Sequence, residues 1–355
     1  MESIKKRNYG FDWLKGVACI AVVLIHYNLP DQAGIIMKTL CRFAVPVFFM
    51  VSGFFTLSGD GNVCSRDKLF AKIRHILCLV AGAAFFHLIF CVVWNKVMDP
   101  GWSIAEYSRT VINLPKIIKL LVTNDPLVYS HLWFLLALLY CYILMILFER
   151  RYPAVLVNMF PVFLLGFLIF ALWKNVLHIP SASIPLMSDA YLMLFNLFIF
   201  RALPFFLAGM WLRKNREMIC SHKFSRNGLI ILFIFGEALA LLERNVFCEA
   251  QFYLGTFIAV GAMFLYVLNG GHEFKEDNFL VCIGKDLSMY VYVLHIAVGK
   301  VCDLIAAKGF LEDRTMFLYS KMVIVLSFSL MFAYCLFHLN KKMTKKKNLK
   351  RFGGS

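Results

Sequence analysis

The chain has 355 residues, 61% of them hydrophobic and 16% charged, with a mean hydropathy of +0.72. Soluble domains are about half apolar and about a quarter charged, so this composition excludes a soluble globular enzyme, a disulfide scaffold and a disordered chain, and points to a polytopic membrane protein. The formal charge of +16, from 37 Lys and Arg against 21 Asp and Glu, sits in short blocks between apolar runs. That distribution fits anchoring on the negative inner face of a bilayer rather than nucleic-acid binding.

A hydrocarbon core of about 30 Å takes about 20 mostly apolar helical residues to cross. Ten segments qualify, at roughly 12–29, 36–57, 75–94, 129–148, 154–173, 191–212, 227–242, 251–268, 287–306 and 317–339, the seventh being short. The fold class expected is therefore all-α, about ten transmembrane helices in one bundle. The first segment follows Lys5, Lys6 and Arg7 and carries Asp12 and Lys15. It is too polar for a cleaved signal, lacks a small-residue cleavage site, and stays as a membrane helix. Lys and Arg crowd the stretches on the amino-terminal side of the membrane, and residues 341–351 contribute seven of them. The positive-inside rule then makes the chain a multi-pass plasma-membrane protein with both termini cytoplasmic.

No internal repeat or extramembrane catalytic domain is visible, so residues 1–355 read as one membrane domain with a basic cytoplasmic tail over 340–355. The longest outer connection, 95–128, holds Pro100, Gly101, Trp102, Pro115 and Pro126. Within it, 114–122 reads either as an amphipathic helix on the outer surface beside an acceptor, or as a mere connector. Eleven cysteines with no CxxC pair, such as Cys19, Cys78, Cys91 and Cys141 in apolar runs, serve as small hydrophobes. Neither a metal site nor a thiol nucleophile is expected.

Charged groups inside spans cost about 2.5 to 3.5 kcal/mol on insertion scales, which makes each a functional candidate. In the first helix His26 follows Lys15 by eleven residues, which returns to within about 20° of the same face about 16 Å further along. Lys15 and His26 thus address one cavity from opposite ends, while Asp12, three before Lys15, can neutralise it near the inner surface. The second helix places Arg42 at the level of His26. Pro46 kinks that helix by leaving a carbonyl unbonded, and Ser52 and Gly53 permit close packing lower down. Arg42 can hold an oxyanion or a phosphate-bearing acceptor, or snorkel to outer headgroups. Arg201 in helix six, Glu237 in helix seven and His295 in helix nine fall near mid-membrane, and Arg201 and Glu237 can also simply neutralise one another. His131 opens helix four beside Trp133, as an acceptor contact or a headgroup anchor. His87 reads as a packed core residue. Arg66, Lys68, Lys72, Arg74 and His75 form a basic inner loop, which either reflects topology alone or docks the phosphates of a cytosolic cofactor. No Walker or Rossmann glycine pattern accompanies it.

The order of these residues resembles the membrane-bound acyltransferase-three family. Asp12-Trp-Leu-Lys15-Gly-Val-Ala with His26 is similar to its first-helix signature, and Arg42 to Gly53 to its second-helix motif. His131-Leu-Trp133-Phe-Leu, Phe205-Phe-Leu-Ala-Gly209 and Ser288-Met-Tyr-Val-Tyr292-Val-Leu-His295 continue the likeness along the whole chain. The resemblance implies an enzyme that takes an acyl group, acetyl or succinyl, from cytosolic acyl-coenzyme A to a hydroxyl of an extracytoplasmic envelope glycan or related acceptor. It makes His26 the essential histidine. Lys15, Lys72, Arg74 and His75 would contact acyl-coenzyme A, and Asp12, His131, Trp133, Arg201, Glu237, Tyr292 and His295 would line the acceptor cavity. The family often carries two arginines three apart at the start of helix three. Lys72 and His75 stand there instead, keeping charge but losing the bidentate fork. The membrane domains of vancomycin-resistance serine racemases share the pattern, including a helix-seven glutamate comparable to Glu237. A small-molecule transporter, of an amino acid such as serine, is therefore the alternative.

Overall fold

The computed structural model describes residues 7–58, 63–123, 125–127, 129–148, 153–166, 197–247, 252–270, 274–307 and 314–352. In chain order the helices are α1 (Tyr9–His26), α2 (Asp31–Leu40), α3 (Ala44–Phe54), α4 (Arg66–Met98), α5 (Ile104–Val111), α6 (Leu114–Thr123), α7 (Trp133–Phe148), α8 (Pro153–Asn158) and α9 (Phe198–Arg201). They continue with α10 (Leu203–Lys214), α11 (Arg216–Ser221), α12 (Arg226–Phe247), α13 (Leu254–Gly270), α14 (Phe279–Cys282), α15 (Ser288–Ala307) and α16 (Arg314–Phe352). Among the described residues the only β pairing is an isolated bridge between Leu57 and Val63. The protein is an all-α polytopic membrane protein. Among the described residues six stretches are long and apolar enough to cross a bilayer: Tyr9–His26, Asp31–Phe54, Arg66–Met98, Ser130–Phe148, Phe279–Ala306 and Met316–Thr344. They answer to the first four and last two spans expected from sequence. The expected seventh forms the 22-residue α12 and the eighth the shorter apolar α13. The part of the fifth beyond residue 166 and the start of the sixth, 191–196, lie outside the described residues.

Several boundaries differ from the hydropathy reading. The basic stretch expected as an inner loop is the first three turns of α4, because Ser65 precedes a run with no Gly or Pro until Gly82 and Asp67 sits in the first turn, where the helix dipole favours an acid. Leu69 and Ile76, seven apart, are buried there, while Arg66, Lys68, Arg74 and His75 are exposed. The ninth span likewise begins early, at Phe279, since the Asn278 side chain accepts from the Leu280 and Val281 N–H groups. In the second span the helix tightens into a 3₁₀ turn at Cys41–Phe43. Pro46 has no N–H to offer the Arg42 carbonyl, so the α-ladder breaks one turn ahead of it. The last helix runs unbroken into the basic tail as far as Phe352.

The chain divides into two compact units, one of residues 1–47, 223–246 and 251–355 and the other of 48–222 and 247–250. In the first, α1 packs on α13, on the 3₁₀ turn and on the continuous helix α14–α15, and α15 packs on α16. A wide π turn at Ile283–Leu287 joins α14 to α15. A Cβ on Gly284 would overlap the Asp12 carbonyl, and one on Gly16 the Leu280 carbonyl, so these glycines let two backbones touch. In the second unit α4 packs on α7. A Cβ on Gly53 would overlap the Phe206 carbonyl and one on Gly209 the Met50 carbonyl, a reciprocal contact of α3 with α10.

Candidate functional site

In the first unit, α1 carries a polar group at each end. At the amino-terminal end Asp12 is buried and accepts from Arg7 Nε at 2.7 Å and pairs with Lys15 Nζ at 2.8 Å. The Asp12–Lys15 pair read from sequence is thus present, and Arg7 joins it. Beside it, outside the spans, Glu276 accepts from the Tyr9 hydroxyl at 2.8 Å and from Lys285. The Lys285 contact, followed by that of Tyr9, holds the Glu276 carboxyl below the ordinary glutamate range. Glu276, Tyr9 and Lys285 were missed by sequence reasoning, since the first lies in a connection and the others at span ends where polar residues are usual.

At the other end, His26 is the last residue of α1 and is exposed, and its ring lies 5.1 Å from that of His295, centroid to centroid. His295 is fully buried on α15, and its Nδ1 lies 3.0 Å from the Val291 carbonyl oxygen. A carbonyl only accepts, so Nδ1 carries the proton and a neutral His295 has its lone pair on Nε2. Tyr292 packs against His295 at 6.3 Å. Lys38 and Arg42, four apart across the 3₁₀ turn, are the cations whose charge bears on His26. Glu237 is buried on α12. The first unit therefore brings His26, His295 and Tyr292 together at the carboxyl-terminal end of α1, which also packs on the 3₁₀ turn that carries Arg42.

In the second unit, the His131 ring meets that of His87 edge-on at 4.9 Å, and Tyr129 lies 4.6 Å from His87. Both histidines are buried, so His87 is the packed residue expected, with His131 as its neighbour. The Arg201 guanidinium lies over the Trp133 ring at 4.0 Å, a cation–π contact. Phe49 packs on Trp133 and Phe134 at 6.0 and 4.7 Å, so α3 presents the aromatic half of its motif to α7. Arg201 and Glu237 belong to different units. Lys72 does not reach into solvent as Arg74 and His75 do. Its Nζ donates to the Phe55 carbonyl at 2.7 Å and to Thr56 Oγ1 at 3.4 Å, over the Tyr142 ring at 5.2 Å. It caps the carboxyl end of α3, where orphan carbonyls attract a cation. Among the described residues no cluster of three or more His, Cys, Asp or Glu could hold a metal ion.

The first unit's arrangement offers an accessible imidazole backed by a second imidazole and flanked by two cations. It can take a proton from a hydroxyl while a guanidinium holds developing negative charge. The acyltransferase domain family matches residues 8–337. A serine/alanine racemase of Enterococcus gallinarum is 30% identical over 144 residues, 38% of this chain and 18% of the relative. An amino-acid racemase of Enterococcus faecalis is 31% identical over 137 residues, 37% of this chain and 17% of the relative. The aligned stretch thus spans under a fifth of the length of these curated relatives. No solved structure matches the chain.

Proposed function

The chain belongs to the acyltransferase-three family of membrane enzymes, and we propose that it carries an acyl group, acetyl or succinyl, from cytosolic acyl-coenzyme A to a hydroxyl of an extracytoplasmic glycan or related acceptor at the plasma membrane. The observation that carries this reading is the contact of His26 with His295 at one end of α1, on which the 3₁₀ turn bearing Arg42 also packs. Exposed Arg66, Lys68, Arg74 and His75 on the first turns of α4 supply a cationic inner surface for the phosphates of coenzyme A. The Asp12–Lys15 pair belongs to the end of α1 opposite His26. The thioester approaches His26 from this side, through the bundle.

Neutral His26 accepts the proton of the acceptor hydroxyl as its oxygen attacks the thioester carbonyl carbon. Arg42 offsets the charge gathering on the carbonyl oxygen. Collapse expels the coenzyme A thiolate, which takes the proton from the imidazolium, so the new ester and free thiol leave with His26 restored. Tyr292 and His295, which pack on one another in the unit that carries His26, line the acceptor side in this reading. The test is acetyl transfer from radiolabelled acetyl-coenzyme A by the purified protein in nanodiscs, where His26→Ala lowers turnover by about 10² to 10⁴-fold. Unchanged thioester use in that variant overturns the assignment.

The local likeness to two amino-acid racemases favours one second reading, movement of a small amino acid such as serine across the bilayer. Counterflow of labelled serine in liposomes, insensitive to His26→Ala and without thioester consumption, selects it over acyl transfer.

A further inference from the structure

The residue after His26 is held in an unusual way. Tyr27 caps α1, its N–H bonding to the Val23 carbonyl at 2.9 Å, and its hydroxyl donates to the Ile296 carbonyl of α15 at 3.2 Å. Its ring rests on Gly299, where a Cβ would overlap Cζ, Cε1 and the hydroxyl oxygen. Lys321 of α16 lies over the ring at 5.0 Å and is itself paired with Asp303 of α15. Neighbouring residues of α1 thus meet neighbouring residues of α15: His26 against His295, and Tyr27 against Ile296. Gly299 stands four residues beyond His295, on the same face of the helix.

We propose that Tyr27 and Gly299 are positioning residues that fix the register of α1 on α15 and so hold the His26 imidazole against His295. The proposal rests on His26 being the general base. The end of a helix frays unless something ties it, and His26 is the last residue of α1. The phenol supplies the tie, with a hydrogen bond at its tip, a glycine floor beneath it and a cation above it. Glycine is needed at 299 because any larger residue would occupy the place of the ring. The overlapping atoms are the far end of a flexible side chain rather than backbone, so an added methyl group displaces the phenol and leaves α15 and its packing in place. Misplacement of a catalytic group by about 1 Å can cost about a hundredfold in rate.

The test uses the full-length protein in nanodiscs, with Tyr27→Phe, Tyr27→Ala, Gly299→Ala and the Tyr27→Ala/Gly299→Ala double variant. Two readouts are taken. Carbethoxylation of His26 by diethyl pyrocarbonate, followed by mass spectrometry, reports how firmly the imidazole is held, with buried His295 as the slow internal reference. Acetyl-coenzyme A turnover gives kcat and KM. Gly299→Ala is expected to accelerate His26 labelling several-fold and to lower kcat by about tenfold to a hundredfold, with KM for acetyl-coenzyme A within twofold of the parent. Tyr27→Phe, which keeps the ring on its glycine floor, stays near the parent in both. Adding Gly299→Ala to Tyr27→Ala changes nothing further, because the ring it would displace is gone. Parent-like labelling in Gly299→Ala, or independent and additive effects of the two substitutions, overturns the proposal. If the parent turns over no thioester, the general-base reading fails, and the labelling pattern still decides whether Tyr27 and Gly299 position His26.

Discussion

Substituting Gly53 by alanine puts a methyl group where the Phe206 carbonyl oxygen already lies, and the same change at Gly82 of α4 meets nothing within 4 Å. Both are helical glycines, so each substitution gains up to about 1 kcal/mol of helix propensity. At Gly53 the methyl must be accommodated by separating two backbones. Overpacking of this kind costs about 1–3 kcal/mol, and the close Cα–H···O contacts that separation removes are worth about 0.5–1 kcal/mol each. The net expectation is destabilisation of about 2 kcal/mol for Gly53→Ala, against a neutral or slightly stabilising Gly82→Ala. A thiol-reactive fluorophore reads unfolding directly, because Cys64 and Cys141 are free and buried. In detergent Gly53→Ala should unfold several degrees below the parent, with Gly82→Ala at or above it. Gly209→Ala should match Gly53→Ala, and the double variant should cost less than their sum, since the first methyl group makes the gap the second occupies. A Gly53→Ala protein as stable as the parent would refute backbone contact between α3 and α10.

Lys72→Ala removes the cation that caps the end of α3 and is expected to destabilise by about 1–2 kcal/mol, whereas exposed Arg74→Ala leaves thermal unfolding unchanged and raises KM for acyl-coenzyme A. Thermal unfolding and steady-state kinetics on both variants separate these effects. Asp12→Asn leaves Arg7 and Lys15 without their carboxylate at a buried position, and a loss of about 1–3 kcal/mol is expected from the same unfolding assay. For Glu276 the folded carboxyl titrates lower than the unfolded one, chiefly through Lys285. Its stabilising contribution is present above the ordinary glutamate range and is lost as pH falls through the folded value. Glu276→Gln should therefore be less stable than the parent near neutrality and converge with it in acid, as followed by midpoint against pH. A constant gap across that range would remove Glu276 from the inner ion-pair group.

The chain alone declares the class of the molecule, because lipid leaves each spanning segment no choice but to satisfy its backbone internally, and an apolar run of the right length is then sufficient to name a helix. It also set the spacing of Lys15 and His26, the Asp12–Lys15 pair, the break ahead of Pro46 and the level of Arg42, all of which follow from local helix geometry. Hydropathy missed the early start of α4 and of the ninth span, which begins with α14, since a helix capped by Asn278 or preceded by Ser65 continues past the edge of its apolar stretch into polar residues. Packing across helices settles which side chains meet: His26 with His295, His131 with His87, Arg201 with Trp133, Lys72 with the end of α3, and Tyr27 with Gly299. These contacts join residues far apart in the chain, Tyr27 and Ile296 being 269 positions apart, and no periodicity within one helix records which face of another it will touch. The glycines at 16, 53, 209 and 284 stand between the two cases. Their lack of a side chain is plain in the sequence, but what each makes room for is fixed by the backbone that packs against it.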